Sequence, residues 1–423
     1  MTALMLLACA PSPAPRIIAA AAPTPSHASS SRAELNRDVG DRTIRVLLSP
    51  GLTPKISATT TWRLYEADGV SLSARGLANE PWKLERQGRQ VRAIRSDGVP
   101  TVWQAALVAR VVDAGYVSFN GRRYRGELKV SSSDSGFVIV NTVTIEDYLR
   151  GVVPAEIGRN RPASESAAVE AQAVAARSYA YTHLVEGARV WDVTAGTQDQ
   201  VYDGVEGEAP VSNAAVDATR GLAILYAGRV VNAPFHSTCG GETAEAPDVW
   251  RTAGEPYLRR VSDRIPGTAD RYYCDVAPRF RWVKTIEGAD LNAAMDAYLK
   301  TYTAIPGGHP GRVRDVRVIN TTPGGRVAQM AVETDRGSFL VRGNDTRYVL
   351  RTLGGEILNS TYFSAVAEQG ADGSLGRLVI RGSGYGHGVG MCQWGAIGRA
   401  RAGQDVRTIL QAYYPGTQLG TVN

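Results

Sequence analysis

One stretch constrains the fold of this chain more than any other. Ala163–Leu184, ASESAAVEAQAVAARSYAYTHL, is the clearest helix in a sequence otherwise broken into short apolar runs. It follows Pro162, holds no internal Pro or Gly, and ends before Gly187. Small residues recur at Ala168, Ala171, Ala175 and Ser178, along one side of a helix of 3.6-residue period. A face of that kind lets another backbone approach closely, so the helix is expected to be buried. Packing alone does not account for the polar residues Gln172, Arg177 and Ser178 within it, and these call for another explanation.

The runs around this helix read as strands. IRVLLSP (Ile44–Pro50) is β-branched and apolar, and VRAIRSDG and GFVIVNTVTI follow the same style. Tyr116–Val130 carries Asn120-Gly121 between two such runs, the signature of a β-hairpin. A second helix is expected over Asp290–Thr301 and a short one over Val406–Tyr413, with a turn at Pro323–Gly325. No internal repeat of fixed period is visible. With 45 glycines in 423 residues, turns and strands are favoured over long helices. The expected class is α+β, strand-rich, with one prominent central helix carrying AQAVAAR.

The net charge is +6 and dispersed. No Lys/Arg run resembles a nucleic-acid-binding arm, and many Arg residues sit beside acids, as in RRVSDR (Arg259–Arg264), which reads as a solvated surface. Nucleic acid is therefore not an expected partner, whereas an anionic wall polymer suits the balance. No apolar run is long enough to span a membrane. Met1–Ala10, MTALMLLACA, resembles the tail of a lipoprotein signal with Cys9 as the lipidated residue, although no Lys or Arg precedes Arg16. An Ala/Pro/Ser-rich stretch follows and reads as a tether. Residues 1–42 are thus expected to be a signal remnant and tether on an exported, lipid-anchored envelope protein, and residues 43–419 the folded region.

Three segments carry chemistry. In IEDYLRGVVPAEI (Ile145–Ile157), Glu146 and Asp147 are expected to serve structure at the start of a turn or helix. Glu156 differs, since it follows apolar GVVPA. Desolvation there would raise its pKa and make it a candidate general acid. In FHSTCGGET, His236 and Cys239 are three residues apart, and Cys274 lies 35 further on. A metal site with these three as ligands and a fourth position for His387, Cys392 or water is one reading. A Cys239–Cys274 disulfide is the other. In GSGYGHGVGMCQWGA (Gly382–Ala396), alternate glycines permit close backbone approach. Tyr385, His387 and Gln393 could then grip sugar hydroxyls and acetamides, or His387 could be satisfied by backbone in a tight loop.

These pieces occur in a familiar order. VNTVTIEDYLRGVVPAEI, EAQAVAARSYA, FHSTCGGETAEAPDVW, PYLRRVSD and GSGYGHGVGMCQWGAIGRARAG, followed by ILQAYYPGT, resemble the stage II sporulation protein D / amidase enhancer (SpoIID/LytB) family over roughly Thr43–Leu419. The resemblance implies a lytic transglycosylase. Such an enzyme acts on peptidoglycan strands freed of stem peptides, cleaves between N-acetylmuramic acid and N-acetylglucosamine, and leaves 1,6-anhydro ends. It implies Glu156 as acid/base and Arg177 in the same cleft, with Ser178, Tyr179, Gln200, Tyr202 and His236 joining Tyr385, His387 and Gln393 as candidate sugar contacts. It also implies that no cofactor is needed for the chemistry, that a structural Zn2+ on His and Cys ligands near FHSTCGG is an option, and that a cell-wall amidase is a candidate partner. The alternative it carries is a non-catalytic glycan binder that enhances such an amidase. The chain departs from the common pattern in reading PAEIGRNRP where an EMP sequence is usual.

Overall fold

The computed structural model describes residues 42–422, apart from 186, 188, 371 and 372. The expectations for the tether and for lipidation at Cys9 lie outside the described residues. The architecture is a strand-rich α+β fold. Its described residues divide into two compact units, each discontinuous in sequence. One takes the chain up to Arg161, Gln172–Asn232 and the residues from Leu419; the other takes Pro162–Ala171 and Ala233–Gln418. The expected folded region therefore comprises two units.

The first unit is built on two sheets. A seven-stranded sheet runs in the order Val193–Thr194, Thr43–Leu48, Gly136–Thr144, Glu127–Ser133, Ala106–Val111, Trp62–Tyr65 and Leu72–Gly76. Thr43–Leu48 shows why it pairs there: Ile44, Val46 and Leu48 are buried while the residues between them are not, the period of two that a half-buried strand imposes. A five-stranded sheet orders Gln90–Ile94, Trp82–Gln87, Lys55–Ala58, Val117–Phe119 and Arg122–Tyr124. Its last two strands are the Asn-Gly hairpin, and Asn120 (φ 51°) and Gly121 (φ 82°) both take the positive φ such a turn requires. Trp62 of one sheet and Trp82 of the other meet with ring centroids 4.6 Å apart, both essentially without solvent contact.

Helix α1 (Ile145–Ile157) starts directly where strand Gly136–Thr144 stops. Thr144 caps it, its Oγ1 accepting the Asp147 N–H at 3.2 Å. The helix retains Pro154 in its interior and stops at Gly158, whose φ of 105° no other residue adopts readily. Helix α2 (Ser166–His183) is the expected Ala helix, with Ala168, Ala171 and Ala175 fully buried. Helix α3 (Pro210–Ala218) precedes strand Leu222–Tyr226, which pairs with the returning C-terminal strand Gln418–Thr421.

The second unit holds FHSTCGG and helix α4 (Ala246–Val249). Helix α5 (Gly288–Tyr298) matches the expectation for Asp290–Thr301. It packs with helix α6 (Asp345–Val349) and two three-stranded antiparallel sheets around Leu291, Met295, Val316, Met330, Val341 and Leu378. Phe235–His236 and Met391–Cys392 then form a parallel pair that leads into helix α7 (Gln393–Arg401) and the amphipathic helix α8 (Val406–Tyr413). Among the described residues, no helix is long and apolar enough to cross a membrane.

Trp62→Ala is expected to cost roughly 3–5 kcal/mol of stability, the usual effect of deleting a fully buried aromatic. Val99→Ala, at an exposed position, is expected to stay within about 0.5 kcal/mol. Denaturant unfolding of both variants checks the pair.

Candidate functional site

Glu156 sits on the last turn of α1 and is 2% exposed. The backbone N–H of Val201 donates to its Oε1 at 3.1 Å. The residues on either side of Val201 are fastened from below. Gln200 is fully buried; its Oε1 accepts the Tyr148 hydroxyl at 3.2 Å, and its Nε2 reaches the Ala176 carbonyl at 3.5 Å. The Tyr202 hydroxyl donates to Asn141 Oδ1 at 2.8 Å, and Asn141 in turn donates to the Arg125 and Glu127 carbonyls. Gln200 and Tyr202 were expected to touch sugars. In the structure they act as the frame that presents the Val201 amide to Glu156.

Arg177 is buried without solvent contact, and every one of its N–H donors is used. Its Nε and Nη2 make a bidentate pair with Glu146 at 2.8 and 2.7 Å. The remaining donors go to the Leu222 and Val216 carbonyls and the Thr219 hydroxyl. Arg177 thus joins α2 to the first turn of α1 and to the α3–strand connection. It reaches Glu146 rather than serving Glu156, so the structure gives it a positioning geometry in place of the catalytic contact expected from sequence. Glu146 is likewise more than a helix-start acid, since it also accepts the Gly221 N–H at 3.3 Å. Ser178 is buried beside it. Its hydroxyl donates to the Val174 carbonyl and accepts the Ile224 N–H, both within 2.9 Å, which ties α2 to strand Leu222–Tyr226. Tyr179 keeps partial exposure; its hydroxyl bonds Asp199 at 3.1 Å and its ring stacks on His183 at 3.8 Å.

The remaining expected residues lie in the second unit. FHSTCGG and the Gly-rich stretch are zipped to each other by backbone: His236 pairs with Cys392 in register, Thr238 with Tyr385, and Ala244 with Val389. A Cβ at Gly390 would overlap the Pro234 carbonyl, so the glycines bring backbone to backbone. His387 is 1% exposed. Its Nε2 donates to the Phe235 carbonyl at 2.9 Å and its Nδ1 accepts the Val389 N–H at 3.1 Å, leaving no ring nitrogen for a sugar. His236 Nδ1 donates to the Val389 carbonyl at 3.1 Å, and both imidazoles are fully desolvated. Burial pushes the His236 pKa down to about 3 and that of His387 well below the usual range. Gln393 is buried at the start of α7, and Tyr385 lies beneath the Arg279 guanidinium, 4.1 Å from its ring centre.

Of the expected metal ligands, Cys239 and Cys274 come together with Sγ atoms 3.5 Å apart, as free thiols rather than a disulfide. His236 does not join them. Cys392 and Asp263 do: the three sulfurs and one carboxylate oxygen all lie within 4.8 Å of one another, and all four residues are buried. Asp263 comes from the RRVSDR run read as solvated surface, yet it is fully buried. Nothing local in the sequence marks it. Burial pushes its carboxyl up to about 8. Burial also opposes ionisation of Cys392, but hydrogen bonds from Cys239 and Cys274 outweigh it and bring that thiol down to about 5.

A family model described as a stage II sporulation protein matches residues 133–226, which include α1 with Glu156 and α2 with Arg177. A second, described as a domain of unknown function, matches residues 268–390. An uncharacterized protein of Brachyspira hyodysenteriae is 30% identical over 324 residues, 76% of this chain and 78% of that protein. The amidase enhancer of Bacillus subtilis is 32% identical over 298 residues, 64% of this chain and 40% of the enhancer, so the match spans less than half of that relative. Stage II sporulation protein D of the same organism is 29% identical over 297 residues, 66% of this chain and 75% of that protein. The chain belongs to the SpoIID/LytB family. Within the family match, the elements that carry Glu156 and Arg177 are joined by the buried Glu146–Arg177 pair.

Glu146→Gln is expected to destabilise the first unit by roughly 3–5 kcal/mol, because it leaves the Arg177 charge buried without its partner; chemical denaturation measures this. In the second unit the neutral imidazoles set a pH dependence. Below pH about 6.5 the unfolded chain takes up protons at His236 and His387, while the folded chain does not until far lower pH. Their contribution is therefore complete above pH 6.5 and declines as pH falls toward 3. His236→Gln is expected to flatten that decline in melts taken between pH 7 and 4.

Proposed function

We propose that this chain is a peptidoglycan lytic transglycosylase of the cell envelope, with Glu156 as its single acid/base. The observation that carries the reading is a buried carboxylate at the end of α1, oriented by the Val201 amide, in the segment matched by the sporulation-protein family model. Ordinary glycosidases need two carboxyl groups because water enters the reaction. Here one suffices, since the nucleophile is internal to the substrate. Glu156 in its acid form protonates the oxygen leaving C1 of N-acetylmuramic acid, and the C1–O bond to N-acetylglucosamine breaks. The carboxylate then takes the proton from the muramic C6 hydroxyl as that oxygen bonds C1. The acid form is regenerated, no water is consumed, and a 1,6-anhydro end results. The chemistry asks for no cofactor. Arg177, through Glu146, keeps α1 in place and so acts on the position of Glu156 rather than on the sugar.

A second reading rests on the similarity to an amidase enhancer. In it the chain binds glycan strands without cutting them and serves a wall amidase. The burial of Gln200, Tyr202, His387 and Gln393 favours neither reading, since it removes sugar contacts from both.

The deciding experiment incubates purified chain with peptide-free glycan strands and scores anhydromuramic ends by mass spectrometry. The wild-type chain is expected to generate them. Glu156→Gln is expected to lower their rate by about 10^2–10^4-fold with its melting temperature little changed. Strands bound but uncut by both proteins would replace the enzyme with the enhancer.

A further inference from the structure

We propose that Cys239, Cys274, Cys392 and Asp263 form a four-coordinate structural zinc site that fastens the second unit together. This ligand set, with Asp263 in it and His236 outside it, rests on the geometry of the residues and is independent of the transglycosylase reading.

Four ligand atoms from four separate chain segments lie within 4.8 Å of one another in a fully buried place. Cys239 Sγ is 3.5 Å from Cys274 Sγ and 3.8 Å from Asp263 Oδ2. A tetrahedral centre with Zn–S bonds of about 2.3 Å sets its ligand atoms about 3.8 Å apart, close to these two separations, and every other pair in the group lies within 4.8 Å. A disulfide would use two of the thiols and leave the third buried and odd.

The surroundings are those of a ligand shell. Asp263 divides its two oxygens. Oδ1 accepts the Tyr413 hydroxyl at 2.7 Å and the Arg399 guanidinium at 3.2 Å, while Oδ2 is the oxygen turned to Cys239. A carboxylate held on one oxygen and presenting the other is how an outer shell orients a monodentate ligand. Cys392 Sγ accepts two backbone N–H groups, from Cys239 at 3.2 Å and Gly395 at 3.3 Å. A Cβ at Gly395 would overlap Asp263 and Tyr413, so glycine is what allows α7 to close over the carboxylate. Arg326 adds a second observation. It is 2% exposed, its Nη2 donates to the Cys239 carbonyl at 2.8 Å, and its Nε and Nη1 have no hydrogen-bond partner. Three thiolates and a carboxylate around Zn2+ sum to −2, a charge that Arg399 and Arg326 would balance between them. All-protein ligation leaves no open position, which makes the site structural rather than catalytic. His236, expected as a ligand, stands outside the cluster with its Nδ1 on the Val389 carbonyl.

The test uses the full chain purified under reducing conditions without chelator. Elemental analysis is expected to find about one zinc per chain. Zinc X-ray absorption is expected to show three sulfur neighbours at about 2.3 Å and one oxygen at about 2.0–2.2 Å. Cys392→Ser and Asp263→Asn are expected to lower zinc affinity at least 10-fold in competition with a chromophoric chelator, and His236→Gln to leave it unchanged. Should the variants fail to fold, the wild-type absorption spectrum still decides. An imidazole in the zinc shell would overturn the proposal. So would a chain that binds neither zinc nor Co2+ with its thiols reduced, or one that loses two thiols to a disulfide when reductant is withheld and holds no metal.

Discussion

A guanidinium shut away from water must find a partner for each N–H and for its charge, and Arg177 meets that demand by binding three other elements at once. Glu146 on α1 supplies the charge, and carbonyls before and at the start of strand Leu222–Tyr226 take the remaining donors. The Arg150–Asp217 pair also ties α1 to α3, and Gln200 links Tyr148 of α1 to the Ala176 carbonyl of α2, but of these joints only the Arg177–Glu146 pair is wholly buried charge. Ala173, Ala175 and Ala176, the small neighbours of Arg177 along α2, are fully buried with it. Small side chains let neighbouring backbone close in, and the Arg177 and Ser178 side chains then take up the backbone groups that burial would otherwise leave unpaired. The candidate acid, Glu156, stands at the far end of the same α1 helix, so its position is inherited from that joint.

The second unit uses a different device. Its two signature segments pair backbone to backbone over a short parallel bridge, and Gly384 and Gly390 are the residues that let the Thr238, Cys239 and Pro234 carbonyls come so near. His387 is consumed in holding this pairing through both ring nitrogens, and His236 gives its Nδ1 to the Val389 carbonyl while its Nε2 has no hydrogen-bond partner. Glycine and histidine together suggested a ligand-gripping loop in the sequence; their geometry is that of a buried seam. What the seam gathers is sulfur and a carboxylate.

Much of the fold was legible. The Ala helix, the Asn-Gly hairpin, the helices near residues 290 and 406, and the period-two strand at Thr43–Leu48 all announce themselves through local pattern, because each is stabilised by a face that repeats along the chain. Helix α1 was legible only in part. Pro154 and Gly151 argue against a helix locally, and the burial of eight other residues of the helix overrides them. Helix α7 was missed for the same reason: its glycines, Gly395 and Gly398, are weak helix formers that serve close packing against Asp263 and the Tyr273 carbonyl.

By itself the sequence determined the fold class, the family and the segments that matter, since those depend on local periodicity and on motif order. Only the tertiary structure decided which side chains meet. Arg177 finds Glu146, 31 positions away, and Asp263 leaves a run of surface-like charges to join cysteines from three other segments. Neither pairing has a local signature, because a buried charge is recognised by its partners and its exclusion from water. Both are properties of chain segments brought together by the fold.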